Sequence, residues 1–161
     1  MSLKEKLKSD LTEAIRSRDE VKSATIRMVL TSIANEEVSG KEARVLSDAE
    51  IIAVLTREAK KRREAAEAFE QGGATDRAKR ERDEGEVIAS YLPEQITDEE
   101  LEKLISEAIT TTGASGPQGM GQVMKYLQPK IAGRAEGGEV SSAVKRSEEH
   151  TSELQSPYVI S

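Results

Sequence analysis

Apolar residues in this chain recur every three or four positions, and no stretch alternates with the period of two that a strand requires. Leu3, Leu7, Leu11, Ala14 and Ile15 form one such stripe and predict a first helix over about residues 2–18. Asp19 is placed to break or cap the chain there. Val21, Ala24, Ile26, Met28, Val29, Leu30 and Ile33 then spread over a wide arc, which predicts a central helix ending near Val38 and Ser39-Gly40. Ser47 followed three residues later by Glu50 is a capping box, and it opens a long helix to about Gln71. Ile51, Ile52, Leu55, Ala59, Ala66 and Phe69 are its inward face. Gly72-Gly73 is the stop signal. A fourth helix, about 76–91, is charged at first and apolar only near Val87, Ile88, Tyr91 and Leu92, as a hairpin partner of the third would be.

Pro93 marks the boundary after these four helices, because the residue before a proline is pushed out of helical geometry. Thr97 and Glu100 have the spacing of a second capping box. They predict a helix to about Thr112 with Leu101, Leu104, Ile105, Ala108 and Ile109 inside. Met120, Val123, Met124 and Leu127 give a short helix between the Gly113 and Gly116-Pro117 punctuation and a stop at Pro129, with Gly133 allowing a turn beyond it. A last helix is expected from about Val140. The fold expected is therefore all-α: a four-helix N-terminal domain over residues 1–92, then a small three-helix C-terminal domain over 96–145.

Composition narrows the chemistry. The chain has 161 residues, 2% aromatic and 34% charged, with a net charge of −6. With so few large rings, the core must come from Leu, Ile, Val, Ala and Met at helix interfaces. The absence of Cys excludes disulfides, thiol catalysis and thiolate metal sites. No apolar run reaches the roughly 18–20 residues needed to cross a bilayer. A cytoplasmic protein with no membrane partner, metal or cofactor is the expectation. The acids alternate with Lys and Arg along helix faces, so no isolated pair suggests acid–base work, and no catalytic constellation is visible.

Two basic regions could meet phosphates. Arg57, Lys60, Lys61, Arg62 and Arg63 place five cations in seven positions. Glu58 stands four residues from Arg62 and Glu64 four from Lys60, so local neutralisation on a solvated face is favoured. Arg77, Lys79, Arg80 and Arg82 form a similar, equally diluted group. The second region is sparser but purer. From Gly113 to Ala135 there is no Asp or Glu, and Lys125, Lys130 and Arg134 give a net +3. Gly119, Gly121 and Gly133 would let a sugar-phosphate backbone come close, or would simply let helices pack. No strand precedes Gly119 and no G-K-[ST] follows, so this is not a P-loop.

The stretch G-M-G-Q-V-M-K-Y-L-Q-P-K-I-A-G-R with the following A-E-G-G-E-V-S-S-A-V-K resembles the C-terminal domain of the YqeY family, which is itself similar to the tail domain of the B subunit (GatB) of the tRNA-dependent amidotransferase. The opening M-S-L-K-E-K-L, the block L-T-R-E-A-K-K-R-R-E-A-A-E-A-F and Y-L-P-E-Q also fit, so the resemblance covers roughly residues 1–145. It implies a link to a glutamine-dependent carbon–nitrogen ligase, as a participant rather than as the seat of the chemistry. It also implies tRNA, or a protein of the translation machinery, as partner. The expected function is a tRNA-binding accessory module in which Lys125, Lys130 and Arg134 contact phosphates; the alternatives are a helical protein–protein adaptor without RNA binding and true amidotransferase activity.

Arg146 to Ser156 reads R-S-E-E-H-T-S-E-L-Q-S, identical to the translation of a common short-read sequencing adapter. Residues 146–161 are therefore expected to be a non-native tail. His150 is the only histidine and belongs to it, so His150, Ser152 and Glu153 are not assembled into a catalytic set. Leucines that the family pattern carries in the last helix are missing, and Val140, Ala143 and Val144 remain as a shortened apolar face.

Overall fold

The computed structural model describes residues 1–114 and 119–154, with side chains to Ser147. The expected Gly116-Pro117 punctuation, the His150 side chain and Pro157–Ser161 lie outside the described residues. Seven helices and no strand occur among those described. They fall into two compact units, Met1–Glu94 and one that begins at Gln95.

In the first unit α1 is Leu3–Arg16, α2 is Glu20–Glu37, α3 is Asp48–Gln71 and α4 is Thr75–Ala89. Local chemistry fixes their starts. Ser2 and Glu5 form a reciprocal capping box, as do Ser47 and Glu50. The Asp19 carboxylate accepts the Lys22 amide at 3.1 Å, so Asp19 caps α2. Gly73, with φ +80, turns the chain from α3 into α4. The α2 helix packs on α1, α3 and α4, which its wide apolar arc required. Leu7, Ile26, Val29, Ile33, Ile51, Leu55 and Ile88 form the core, all at most 1% exposed. The Tyr91 hydroxyl donates to Asp10 at 2.5 Å and ties the segment after α4 back to α1. Burial first, and then that carboxylate, push the Tyr91 phenol well above its ordinary range.

The loop from α2 to α3 is clasped by one carboxylate. Glu37 accepts from the Lys4 ammonium at 2.9 Å and from the Leu46 amide at 3.1 Å. These contacts, Lys4 first, hold its carboxyl below the usual range.

In the second unit α5 is Asp98–Thr112, α6 is Met120–Ile131 and α7 is Gly137–Leu154. Ile105, Ala108, Val123, Leu127, Val140 and Val144 are fully buried among them. Three expectations are corrected here. Pro129 does not stop α6, which runs on to Ile131. Proline in the last turn costs little of the hydrogen-bond ladder, and the buried Leu127 and Ile131 on either side hold the turn against the core. The second capping box forms only half. The Thr97 hydroxyl accepts the Glu100 amide at 3.1 Å, but the Glu100 carboxylate is occupied elsewhere, by Arg134. Finally, α7 starts at Gly137 rather than Val140, because the Glu136 carboxylate accepts the Glu139 amide at 3.0 Å and satisfies the first turn.

Candidate nucleic-acid interface

Cations in this chain occupy two kinds of surroundings. The dense cluster on α3 is neutralised by the protein itself. Arg62 is flanked by Glu58 at 3.3 Å, Glu81 at 3.4 Å and Glu84 at 3.8 Å. Glu58 is itself buried, and it also meets Lys61 at 3.4 Å and the Ser32 hydroxyl at 3.2 Å. Arg57 pairs with Glu36 at 3.5 Å and Lys60 with Glu64 at 3.9 Å. Arg63 is exposed and also has an interaction of its own. On α4, Arg80 pairs with Glu84, Arg82 with Glu70, and Arg77 sits over the Phe69 ring. These side chains join α3 to α4 and α2, and they offer little uncompensated charge to a phosphate.

The sparser set lies on and after α6. Val123, Leu127 and Ile131 bury one side of that helix. The opposite side is exposed and consists of Gly121, Gln122, Lys125, Gln128, Pro129 and Ala132. Their spacings of three and four make one continuous face. Lys125 is exposed and in no ion pair among the described residues. Lys130 folds over Tyr126, with its ammonium 4.5 Å from the ring centroid and donating to the hydroxyl at 3.1 Å. That hydrogen bond is the main reason the phenol is drawn below its ordinary range, with Thr111 helping, and the Lys130 ammonium raised above its own; Glu107 of α5 weakly opposes the first shift and adds to the second.

Arg134 stands apart from the other two. Its Nη2 donates to both carboxylate oxygens of Glu100 at 2.9 Å, and its carbonyl accepts the Ile96 amide at 2.9 Å. It therefore fastens the turn after α6 to the start of α5.

The three glycines also separate. Gly133 has φ +76 and its carbonyl accepts from the Gln95 side chain, so it is needed for the turn. A Cβ on Gly119 would come within 2.6 Å of the Ala114 Cβ, so Gly119 serves close packing. A Cβ on Gly121 would meet nothing within 4 Å. Gly121 alone among the three has no structural reason to lack a side chain. Gln122, Gln128 and Tyr126 were missed by reading for charge. For Gln122 and Gln128 the signal was a spacing of three residues on either side of Lys125, and for Tyr126 it was the spacing of four from Lys130.

The sequence profile of the family described as Yqey-like protein matches residues 4–147. The chain belongs to the YqeY family. Among curated relatives, it is 31% identical to the Candida glabrata protein named Altered inheritance of mitochondria protein 41, mitochondrial, over 55% of this chain and 48% of that one. The Clavispora lusitaniae protein of the same name is 27% identical over 78% of this chain and 74% of its own. A third, from Lachancea thermotolerans, is 26% identical over 69% and 60%. The chain thus spans about half the length of the first of these relatives. No described helix is long and apolar enough to cross a membrane, and no three described His, Cys, Asp or Glu side chains are grouped to hold a metal ion.

Proposed function

We propose that this YqeY-family chain is an RNA-binding accessory module, with tRNA as its partner. The observation that carries the reading is the exposed face of α6, where no acid occurs in sequence from Gly113 to Ala135 and Lys125 is exposed to solvent. A cation held away from carboxylates gains most from releasing the counterions of a phosphate chain. Lys125 and Lys130 are the phosphate contacts in this reading, and Gly121 leaves room for a backbone to approach. Arg134, held by Glu100, serves chiefly to fasten the turn that follows these cations. The likeness of the C-terminal part to the amidotransferase tail domain supports tRNA, and supports assistance to a glutamine-dependent carbon–nitrogen ligase rather than transfer chemistry in this chain. The cytoplasm is the compartment we assign to it, although the relatives named above are called mitochondrial.

The test is tRNA binding by the full chain across a salt series. A steep linear fall of log affinity with log salt supports phosphate contacts and counts them through its slope. No binding at low salt retires the reading and leaves a protein partner as the reading to pursue.

A further inference from the structure

We infer that the exposed face of α6 docks against the shallow minor groove of an A-form RNA stem, with Gln122 and Gln128 bonding to ribose 2′-hydroxyls. The inference rests on the RNA-binding reading and goes beyond it, from phosphate contact to recognition of a duplex and its sugar.

The shape of the face argues for it. Gly121 and Ala132 lie at its two ends, about 16 Å apart at the helical rise. Neither carries a long side chain, and Pro129 is compact. The long side chains on this strip are Gln122, Lys125 and Gln128, three residues apart, so they follow one oblique ridge that turns by about 60° at each step. A strip that is low at its ends, with three polar arms fanned across it, suits a wide and shallow groove. The minor groove of A-form RNA is wide and shallow, and displays 2′-hydroxyls along its edges. A deep, narrow groove would exclude the helix.

The chemistry agrees. A glutamine amide both donates and accepts, as a 2′-hydroxyl does, so each can satisfy the other whatever the base. Lys125, between the two amides, has the length to reach a phosphate on the groove wall. Lys130, turned onto Tyr126, lies off this strip and adds its charge from the neighbouring side of the helix. A single-stranded partner would call for exposed aromatic rings on which bases stack. On this helix the one ring is Tyr126, partly buried and covered by Lys130.

The experiment compares the full chain binding four probes: tRNA, a short RNA duplex, the DNA duplex of the same sequence, and the RNA strand alone. Lys125→Gln and the double variant Gln122→Leu/Gln128→Leu are measured beside it, with helicity checked for each. The inference expects the RNA duplex to bind about ten-fold tighter than the DNA duplex, from two lost hydrogen bonds. The double Gln variant should erase that preference while its affinity for DNA stays put. If tRNA binds but RNA and DNA duplexes bind equally, or if the Gln variant changes nothing, the inference is overturned while the phosphate-contact reading survives. Preference for the single strand overturns it too. If no probe binds at low salt, both readings fall together.

Discussion

The two units use the same residue types to opposite ends. In the N-terminal unit five cations crowd seven positions of α3, and each pair resolved there is satisfied by a glutamate on α2, α3 or α4. In the C-terminal unit three cations are spread over ten positions with no acid among them in sequence, and among the described residues only Arg134 is shown meeting a carboxylate, that of Glu100. Density of charge is therefore a poor guide to uncompensated charge. What matters is whether the fold has already supplied the counter-charge. Arg62 shows the first case, as an internal strut about 20% exposed, and Lys125 the second.

The largest effect that would test this contrast is in the strut. Arg62→Ala should destabilise the N-terminal unit by about 3 kcal/mol, because it leaves Glu58, Glu81 and Glu84 partly buried with fewer partners. Denaturant unfolding measures it. Adding Glu58→Gln and Glu81→Gln to that variant should recover much of the loss, since the stranded charge is then gone. A loss below about 1 kcal/mol would mean that water already solvates these carboxylates and that the cluster is a surface feature after all.

Next come the cations as ligands. Lys125→Gln with Lys130→Gln should weaken tRNA binding roughly ten-fold and lower the salt slope by about two, while Lys60→Gln with Lys61→Gln should change either quantity little. The opposite ranking would break the comparison, because it would make the paired cluster on α3 the binding surface.

Much of the architecture was legible in the sequence because helix periodicity and caps are local. Leu7, Ile26, Ile33, Leu55, Ile105 and Leu127 stand on the stripes that predicted burial, and all are buried. Ser47 and Glu50 close on each other as their spacing required. The failures share a cause, which is a partner distant in sequence. Glu100 was read as a capping side chain, but Arg134, thirty-four residues on, takes its carboxylate. Pro129 was read as a stop, but burial of Leu127 and Ile131 against other helices outweighs its local cost. The candidate site was legible in its charge and not in its shape. Nothing local distinguishes Gly121, which faces open space, from Gly119, which packs on Ala114.

That distinction gives a smaller prediction with a change of sign. Gly133→Ala should cost about 1–2 kcal/mol, since φ +76 strains any residue with a Cβ. Gly121→Ala should instead stabilise the C-terminal unit by about 0.5–1 kcal/mol, because an exposed helical position with open space gains from the lost chain entropy. Thermal unfolding resolves both. If Gly121→Ala destabilises, the residue has a structural role that its open surroundings do not suggest. If it stabilises, and a bulky substitution there then blocks RNA, the glycine is kept for access.

The smallest effect expected is in acid, and it separates the units by pH rather than by partner. Glu37 has its folded pKa below the ordinary value of 4.5, first through Lys4 and then through the Leu46 amide. A carboxylate depressed on folding adds stability above its unfolded pKa and loses it as pH falls through the folded one. Between neutral pH and about pH 3, the N-terminal unit should therefore weaken more than a Glu37→Gln variant does, with the two converging at the acid end. The effect is modest because Lys4 and Glu37 both keep contact with solvent, which screens the pair. The C-terminal unit should not respond to the substitution, since Glu37 clasps only the α2–α3 loop to α1. Parallel pH curves for the variant and the native chain would assign the loop closure to Arg44 instead, whose amide donates to the Glu37 carbonyl and whose guanidinium pairs with Glu50.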